Sequence, residues 1–317
     1  MWQVFFYLVS MLYNNPQINQ FTHLELKAQQ IVEGFMSGLH KSPFHGYSAE
    51  FAEHKMYHPG SATRFIDWKL YARTEKLYTK KFEEETNMRC HLVIDQSSSM
   101  YYPESRDLNK LENNKIGFSV LASAALMQLL KRQRDAVGLS VYDQTQVLQT
   151  QAKSSERHHQ FILGQLEEIA CNPSPMRKTD TAAQLSTLAQ QLPRRSMVVV
   201  FSDLLMNQEQ RQEIFEAMRH LKYRNHAVIL MHTFDGKTER EFNFGSAPRK
   251  FKDLETGQDL PVFPGQVREA YKAAVEAYFE SIKLTCAQHK IQYVTADIQK
   301  GFESIFTAFL VARQKFA

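Results

Sequence analysis

Asp95, Ser97 and Ser99 stand at alternate positions in the run HLVIDQSSSM, residues 91–100, directly after the apolar segment Leu92-Val93-Ile94. A carboxylate and two hydroxyls on one short loop are hard oxygen donors. They suit Mg²⁺, which takes about six oxygens in near-octahedral geometry and gives up its waters reluctantly. Three protein oxygens make half such a shell and leave positions for water or for an oxygen from another molecule. The same residue types are also ordinary turn and helix N-cap residues, so the five-residue pattern alone does not separate a metal loop from a turn. A second acid has the same setting: Asp203 directly follows the strand-like run MVVVFS. Two carboxylates that both end apolar strands share the carboxyl edge of an open parallel sheet, where such sheets bind ligands.

The pattern of elements supports that placement. Helical periodicity runs over residues 18–39 through Leu24, Leu26, Ala28, Ile31, Val32 and Phe35. Residues 40–88 are rich in aromatics, Gly, Pro and His, with short β-like pieces such as LYTKKF, and read as an irregular, strand-containing lead-in. From residue 89 strands and helices alternate. Strands are expected at 89–94, 136–142, 196–201, 226–234 and 291–296, with VLQT at 147–150 as an edge. Helices are expected at about 115–132, 156–170, 181–191, 208–222, 267–289 and 301–315. This alternation predicts an α/β fold, a mostly parallel sheet with helices on both faces. Two regions follow: 1–88 as the lead-in and 89–317 as the sheet domain, interrupted by an insertion or β-excursion at about 236–265.

The D-x-S-x-S order of Asp95, Ser97 and Ser99 resembles the metal-ion-dependent adhesion site (MIDAS) of von Willebrand factor A domains. Such a site also takes a threonine from a second loop and an aspartate from a third. Thr179 in KTDTAAQL and Asp203 in MVVVFSDLL answer to these. The wider chain resembles the bacterial domain-of-unknown-function family 58. That von Willebrand factor A-like group is often encoded beside MoxR-type AAA+ ATPases. The stretches that carry the resemblance are 31–60 (IVEGFMSGLHKSPFHGYSAEFAEHKMYHPG), 64–74 (RFIDWKLYART), KKFEEETN, DQSSSM, RDAVGLSVYD and SDLL. The resemblance extends over nearly the whole chain after about residue 22. One departure is that Ser61-Ala62-Thr63 stand where the family usually has acids.

The resemblance implies a von Willebrand factor A-like (Rossmann-like) fold. It implies a metal site of Asp95, Ser97, Ser99, Thr179 and Asp203, holding Mg²⁺ or Mn²⁺. It further implies a cytoplasmic, non-enzymatic protein-interaction module. The expected partner offers an acidic residue and is a MoxR-type AAA+ ATPase in complex assembly or maturation. A metal-free scaffold of the same fold is the alternative.

Other classes are opposed by what the chain lacks. A net charge of +4 without a basic stripe or an aromatic–basic motif argues against nucleic acid. Cys90, Cys171 and Cys286 are far apart, with no C-x-x-C, which favours a reduced compartment over zinc or redox chemistry. A haloacid-dehalogenase-like phosphatase needs D-x-D-x-T, and Ser97 replaces the second Asp that would shuttle the proton. There is no nucleophile elbow around Ser98 and no P-loop. His40, His45, His54 and His58 fit no tetrahedral zinc spacing and read as structural; His158-His159 reads as a solvated loop or helix start. Trp68 is expected packed, with Asp67 braced by Arg73, and Glu83-Glu84-Glu85 is expected as a solvated strand end. The apolar N-terminus, residues 1–13, is too short to span a bilayer and lacks signal-peptide features. A helix packed on the body is expected there, with membrane association as the less favoured reading.

Overall fold

A computed structural model of the chain describes residues 16–41, 54–56, 68–80, 88–103, 108–142, 146–171, 181–252 and 258–316. In chain order its elements begin with α1 (Pro16–Lys41), β1 (His54–Met56), α2 (Trp68–Thr74), β2 (Tyr78–Lys80) and β3 (Arg89–Asp95). After two 3₁₀ turns come α3 (Lys115–Arg132), β4 (Ala136–Tyr142), β5 (Gln146–Gln149), α4 (Glu156–Cys171) and α5 (Thr181–Gln191). Then follow β6 (Ser196–Ser202), α6 (Gln208–Tyr223), β7 (Ala227–Phe234), a π-turn (Gly236–Arg240), β8 (Arg249–Lys252) and β9 (Asp259–Val262). The last elements are α7 (Pro264–Gln288), β10 (Gln292–Asp297) and α8 (Glu303–Phe316). The structure divides into two units, 1–32 with 88–317 and 33–87.

The larger unit holds a six-stranded sheet in the order β10-β7-β6-β3-β4-β5, parallel except for the short edge strand β5. Renumbered within the sheet, this is the doubly wound order 3-2-1-4-5-6, whose switch point lies between β3 and β6. It is the expected mostly parallel α/β sheet with helices on both faces. β6 is buried along its whole length, and β3 everywhere except Arg89. That is why both read as continuous apolar runs, as strands covered on both faces do. Val93, Val198, Val200, Val228 and Leu230 point into one core with α5, α6 and α7. Strand alternation sends their neighbours Leu92, Ile94, Val199 and Ile229 to the other face, where they too are buried. On α3, every residue from Lys115 to Leu130 is buried. Phe118 of α3 stacks on Phe302 at 4.5 Å, tying α3 to the start of α8. Arg313 of α8 donates at 2.9 Å to the buried Asp135, which also accepts from Met88 N–H at the entry to β3.

Several expectations change in detail. The first half of α1 belongs to the sheet unit, because Leu24, Ala28 and Val32 repeat every four residues and are all buried. α7 starts at Pro264, three residues before the expected 267, since proline at the first helical turn is preorganised rather than a break. The excursion at 236–265 is the π-turn plus an antiparallel β8–β9 hairpin. His158 and His159 do start a helix, but His159 is buried rather than solvated, because it faces inward from the first turn of α4.

In the smaller unit β1 pairs antiparallel with β2, Met56 opposite Tyr78. Trp68 is not packed as expected: it is 63% exposed. It meets Tyr71 edge-on at 6.1 Å, one helical turn away. Asp67, Glu83 to Glu85, His45, His58 and residues 1–13 lie outside the described residues, as do the side chains of His40 and His54.

Glu167 on α4 supplies a stability prediction. Its Oε1 is buried without a hydrogen-bond partner among the described residues, and burial raises the carboxyl to about 7. The folded state therefore holds this proton more tightly than the unfolded chain, whose value is about 4.3. Its contribution to stability is greatest in acid and falls as pH rises from the unfolded value through about 7. Glu167→Gln should flatten that slope and stabilise the protein by roughly 1–3 kcal/mol at pH 8. Denaturant melts of both proteins at pH 5 and pH 8 measure it; equal gaps between them at the two pH values would refute it.

Candidate metal centre

Asp95 is the last residue of β3, and its carboxylate is fixed from both sides. Oδ1 accepts from the Ser97 N–H at 2.9 Å, closing an Asx-type turn. Oδ2 accepts from the Ser202 hydroxyl at 2.7 Å, across the switch point from β6. The chain then enters the 3₁₀ turn Ser98–Tyr101, which brings Ser97 Oγ and Ser99 Oγ to 3.1 Å from each other. Asp95, Ser97 and Ser99 are all buried. Burial pushes the Asp95 carboxyl up to about 7, and the nearby Asp203 charge adds to the rise, against the hydrogen bonds from Ser202 and Ser97.

Asp203 sits one residue past β6 and is 2% exposed. Its loop is held at every atom that matters. Asp203 Oδ1 accepts from Leu205 N–H at 3.1 Å, and the Ser202 hydroxyl accepts from Leu204 N–H at 3.1 Å. Leu204 is buried in the left-handed region at φ +52, a costly conformation for leucine that only surrounding contacts can hold. One such contact is Tyr278, whose hydroxyl donates to the Leu204 carbonyl. Behind the loop, His232 Nε2 lies 3.1 Å from the Asp203 carbonyl. A carbonyl only accepts, so Nε2 carries the hydrogen and Nδ1 accepts from the Tyr293 hydroxyl at 2.8 Å. Burial lowers His232 to about 4, which keeps it neutral in this role.

The sequence reading did not anticipate Lys115. It is the first residue of α3, fully buried, and its Nζ donates to Asp203 Oδ2 at 2.8 Å. The same ammonium donates to Glu239 Oε1 on the π-turn after β7. The Tyr102 ring lies 5.8 Å from Nζ. A cation at a helix N-terminus opposes the helix dipole, and burial alone would lower the lysine. The Asp203 and Glu239 carboxylates outweigh burial and hold its pKa above the usual value. In return, Lys115 overcomes the upward push of burial on Asp203 and leaves that carboxyl below its ordinary value. The Ser99 hydroxyl also lowers the Asp203 carboxyl, an influence between the two loops. Glu239 Oε2 accepts from Asp235 N–H at 2.7 Å, and the Tyr271 hydroxyl donates to the Glu239 carbonyl, so the π-turn is anchored to α7.

Asp95, Ser97, Ser99 and Asp203 thus meet at the carboxyl edge of the sheet, while Thr179 lies outside the described residues. Among the described residues, no group of three or more His, Cys, Asp or Glu side chains is arranged to hold a metal. The donors collected here are two carboxylates and hydroxyls. Lys115, Glu239 and Ser202 were missed because a lysine opening a helix, a glutamate in an irregular stretch and a serine ending a strand carry no local signal. Only the sheet order brings them together.

A model of the family described as "Protein of unknown function DUF58" matches residues 53–280. The uncharacterised protein Rv1480 of Mycobacterium tuberculosis is 26% identical over 186 residues, 57% of this chain and 55% of that protein. The chain therefore spans about half the length of the curated relatives it matches. Among solved structures, BatB from Bacteroides thetaiotaomicron is 14% identical with a TM-score of 0.46, over 72% of this chain and 98% of that one. An aerotolerance-related membrane protein from Bacteroides fragilis is 13% identical with a TM-score of 0.44, over 72% of this chain and 98% of that one. The SpRpn10 VWA domain is 11% identical with a TM-score of 0.31, over 47% of this chain and 76% of that one. Among the described residues, no helix is long and apolar enough to cross a membrane.

Proposed function

This chain belongs to the DUF58 family of proteins of unknown function, and we propose that it is a divalent-cation-dependent protein-binding module without a catalytic step of its own. The observation that carries the reading is the 3.1 Å between Ser97 Oγ and Ser99 Oγ. Two ligands at right angles, each about 2.1 Å from Mg²⁺, stand about 3.0 Å apart, so the two hydroxyls, here hydrogen-bonded to each other, already have the spacing of neighbours in an octahedral shell. Charge supports the fit. Asp203 and Glu239 share one ammonium, Lys115, while Asp95 faces the Asp203 charge. A cation at Asp95 offsets the burial and the Asp203 charge that push its carboxyl up. The donors are all oxygen, which favours Mg²⁺ or Mn²⁺ over zinc.

In this reading Ser97 and Ser99 hold the ion through their hydroxyls. Asp95 and Asp203 supply charge, and Thr179 completes the shell. The bound cation offers a Lewis-acidic position to an incoming oxygen. A partner's Asp or Glu fills that position, and Leu205, 47% exposed beside Asp203, adds apolar contact. The family resemblance points to a MoxR-type AAA+ ATPase as that partner, in the cytoplasm. No hydrolysis of phosphate esters, acyl esters or ATP is expected. A second reading, a scaffold that works without metal, is favoured by one observation: Lys115 already neutralises Asp203.

Metal linkage separates the two. Millimolar Mg²⁺ or Mn²⁺ should raise the melting temperature of the wild type, since only the folded state assembles the loops. Asp95→Ala with Ser97→Ala should abolish the rise. An unchanged melting temperature together with no calorimetric binding would establish the scaffold reading. A rise that survives the double substitution would place the ion elsewhere.

A further inference from the structure

Lys115 neutralises Asp203, one of the carboxylates assigned above to the cation site. Its ammonium is fully buried and shares two carboxylates from different loops, Asp203 after β6 and Glu239 after β7. Two of the three groups are nearly sealed, at 0% and 3% side-chain exposure, and Glu239 at 19% is the one that opens toward solvent. The ammonium cannot leave without stranding a buried charge, but it need not leave. Both carboxylates already lie within hydrogen-bond reach of the one Nζ, so a small movement transfers its weight from one to the other. Lys115 is also the first residue of α3, below Asn114, whose side chain caps the helix at Gly117 N–H. The stem therefore pivots on a fixed backbone.

We infer that Lys115 is an internal counter-cation that holds Asp203 in the ion-free protein and moves onto Glu239 when a divalent ion takes Asp203. The inference rests on the cation site proposed above and assigns that site its regulation. Lys115 sets the affinity by competing for Asp203, and Glu239 is the alternate seat that makes the exchange possible without an unpaired buried charge. Binding at the Asp95 loop is thereby coupled to the π-turn Gly236–Arg240 and, through Tyr271 and the Arg240–Glu276 pair, to α7. The ion-free protein keeps its site in shape because Lys115 neutralises Asp203.

The test is calorimetric titration with Mg²⁺ and Mn²⁺, with melting curves, on the full chain as wild type, Lys115→Met, Glu239→Gln and the double variant. Lys115→Met removes the competitor. It should melt lower without ion and bind Mg²⁺ about tenfold or more tightly. Glu239→Gln leaves the displaced ammonium without a seat and should weaken Mg²⁺ binding about fivefold. In the Lys115→Met background the same Glu239→Gln change should have almost no effect, because there is no ammonium to seat. If Glu239 instead attracts the ion through space, it weakens binding equally in both backgrounds, and the seat role is overturned. Equal affinity of wild type and Lys115→Met overturns the competition while leaving the cation site intact. No binding by any variant overturns both. Should Lys115→Met fold too poorly to titrate, the wild-type Lys115 ¹⁵Nζ resonance decides. It should shift on saturation with Mg²⁺, and an unmoved resonance rules out the exchange.

Discussion

Asp203→Ala should lower the stability of the ion-free protein by about 3 kcal/mol, the lower end of what removing one member of a buried ion pair costs. The loss comes from Lys115, which is fully buried and donates to Asp203 at 2.8 Å. Two features hold the cost at the lower end. Glu239 still accepts from the stranded ammonium. Asp95 is also relieved, because the Asp203 charge is part of what pushes its carboxyl up to about 7. For a unit of this size, 3 kcal/mol corresponds to a fall of roughly 6–12 °C in melting temperature. Asp203→Asn keeps the shape and the Leu205 N–H acceptor and should lose less. The decisive variant combines Asp203→Ala with Lys115→Met. It removes both charges and should recover at least half of the loss, since the penalty belongs to the unpaired ammonium. Thermal melts in EDTA measure all three. A double variant no more stable than Asp203→Ala alone would show that the loop pinned by Leu204, Tyr278 and His232, rather than the charge pair, sets the cost.

Partner binding carries the second large effect. If an acidic side chain of a MoxR-type AAA+ ATPase completes the shell of the cation, that contact is desolvated and charge-assisted. Breaking such a pair costs about 2–5 kcal/mol, or roughly 30- to several-thousand-fold in Kd. The wild type in Mg²⁺ should bind the ATPase, and EDTA or Asp95→Ala should weaken it by that factor. Thr179→Ala should fall between, because Thr179 contributes one ligand and no charge. In that arrangement the ion would draw on Asp95 directly and on Asp203 only as Lys115, its hydrogen-bonded partner in the ion-free protein, shifts to Glu239. Equal affinity in all four conditions would remove the metal bridge even if the two proteins associate. The comparison is also informative about Leu205. An affinity insensitive to metal but lost in Leu205→Asp would make the interface an apolar one beside the site.

Much of this protein is legible in the chain itself. Continuous apolar runs at β3 and β6, each followed by an aspartate, come from strands buried on both faces of a parallel sheet. Their alternation with amphipathic helices determines the fold class. The loop residues Asp95, Ser97 and Ser99 stand at a spacing of two, within one turn, so their grouping is written locally. Even the edge strand β5 shows as a short β-like run after β4. What the chain does not reveal is the pairing of charges across long separations. Lys115 lies 88 residues from Asp203 and 124 from Glu239, its two hydrogen-bonded partners. Each alone has an ordinary explanation: a helix start, a strand end, a polar turn. The same holds for His232 and Tyr293, which brace Asp203 from β7 and β10. The order of strands in the sheet brings those loops to one edge, and no periodicity encodes that order. The two carboxylates then outweigh burial, which by itself would favour the neutral amine, and keep Lys115 charged between them. Local donor types and spacing belong to the sequence. Which charges share one dry site, and therefore whether an ion must compete to enter it, belongs to the tertiary structure.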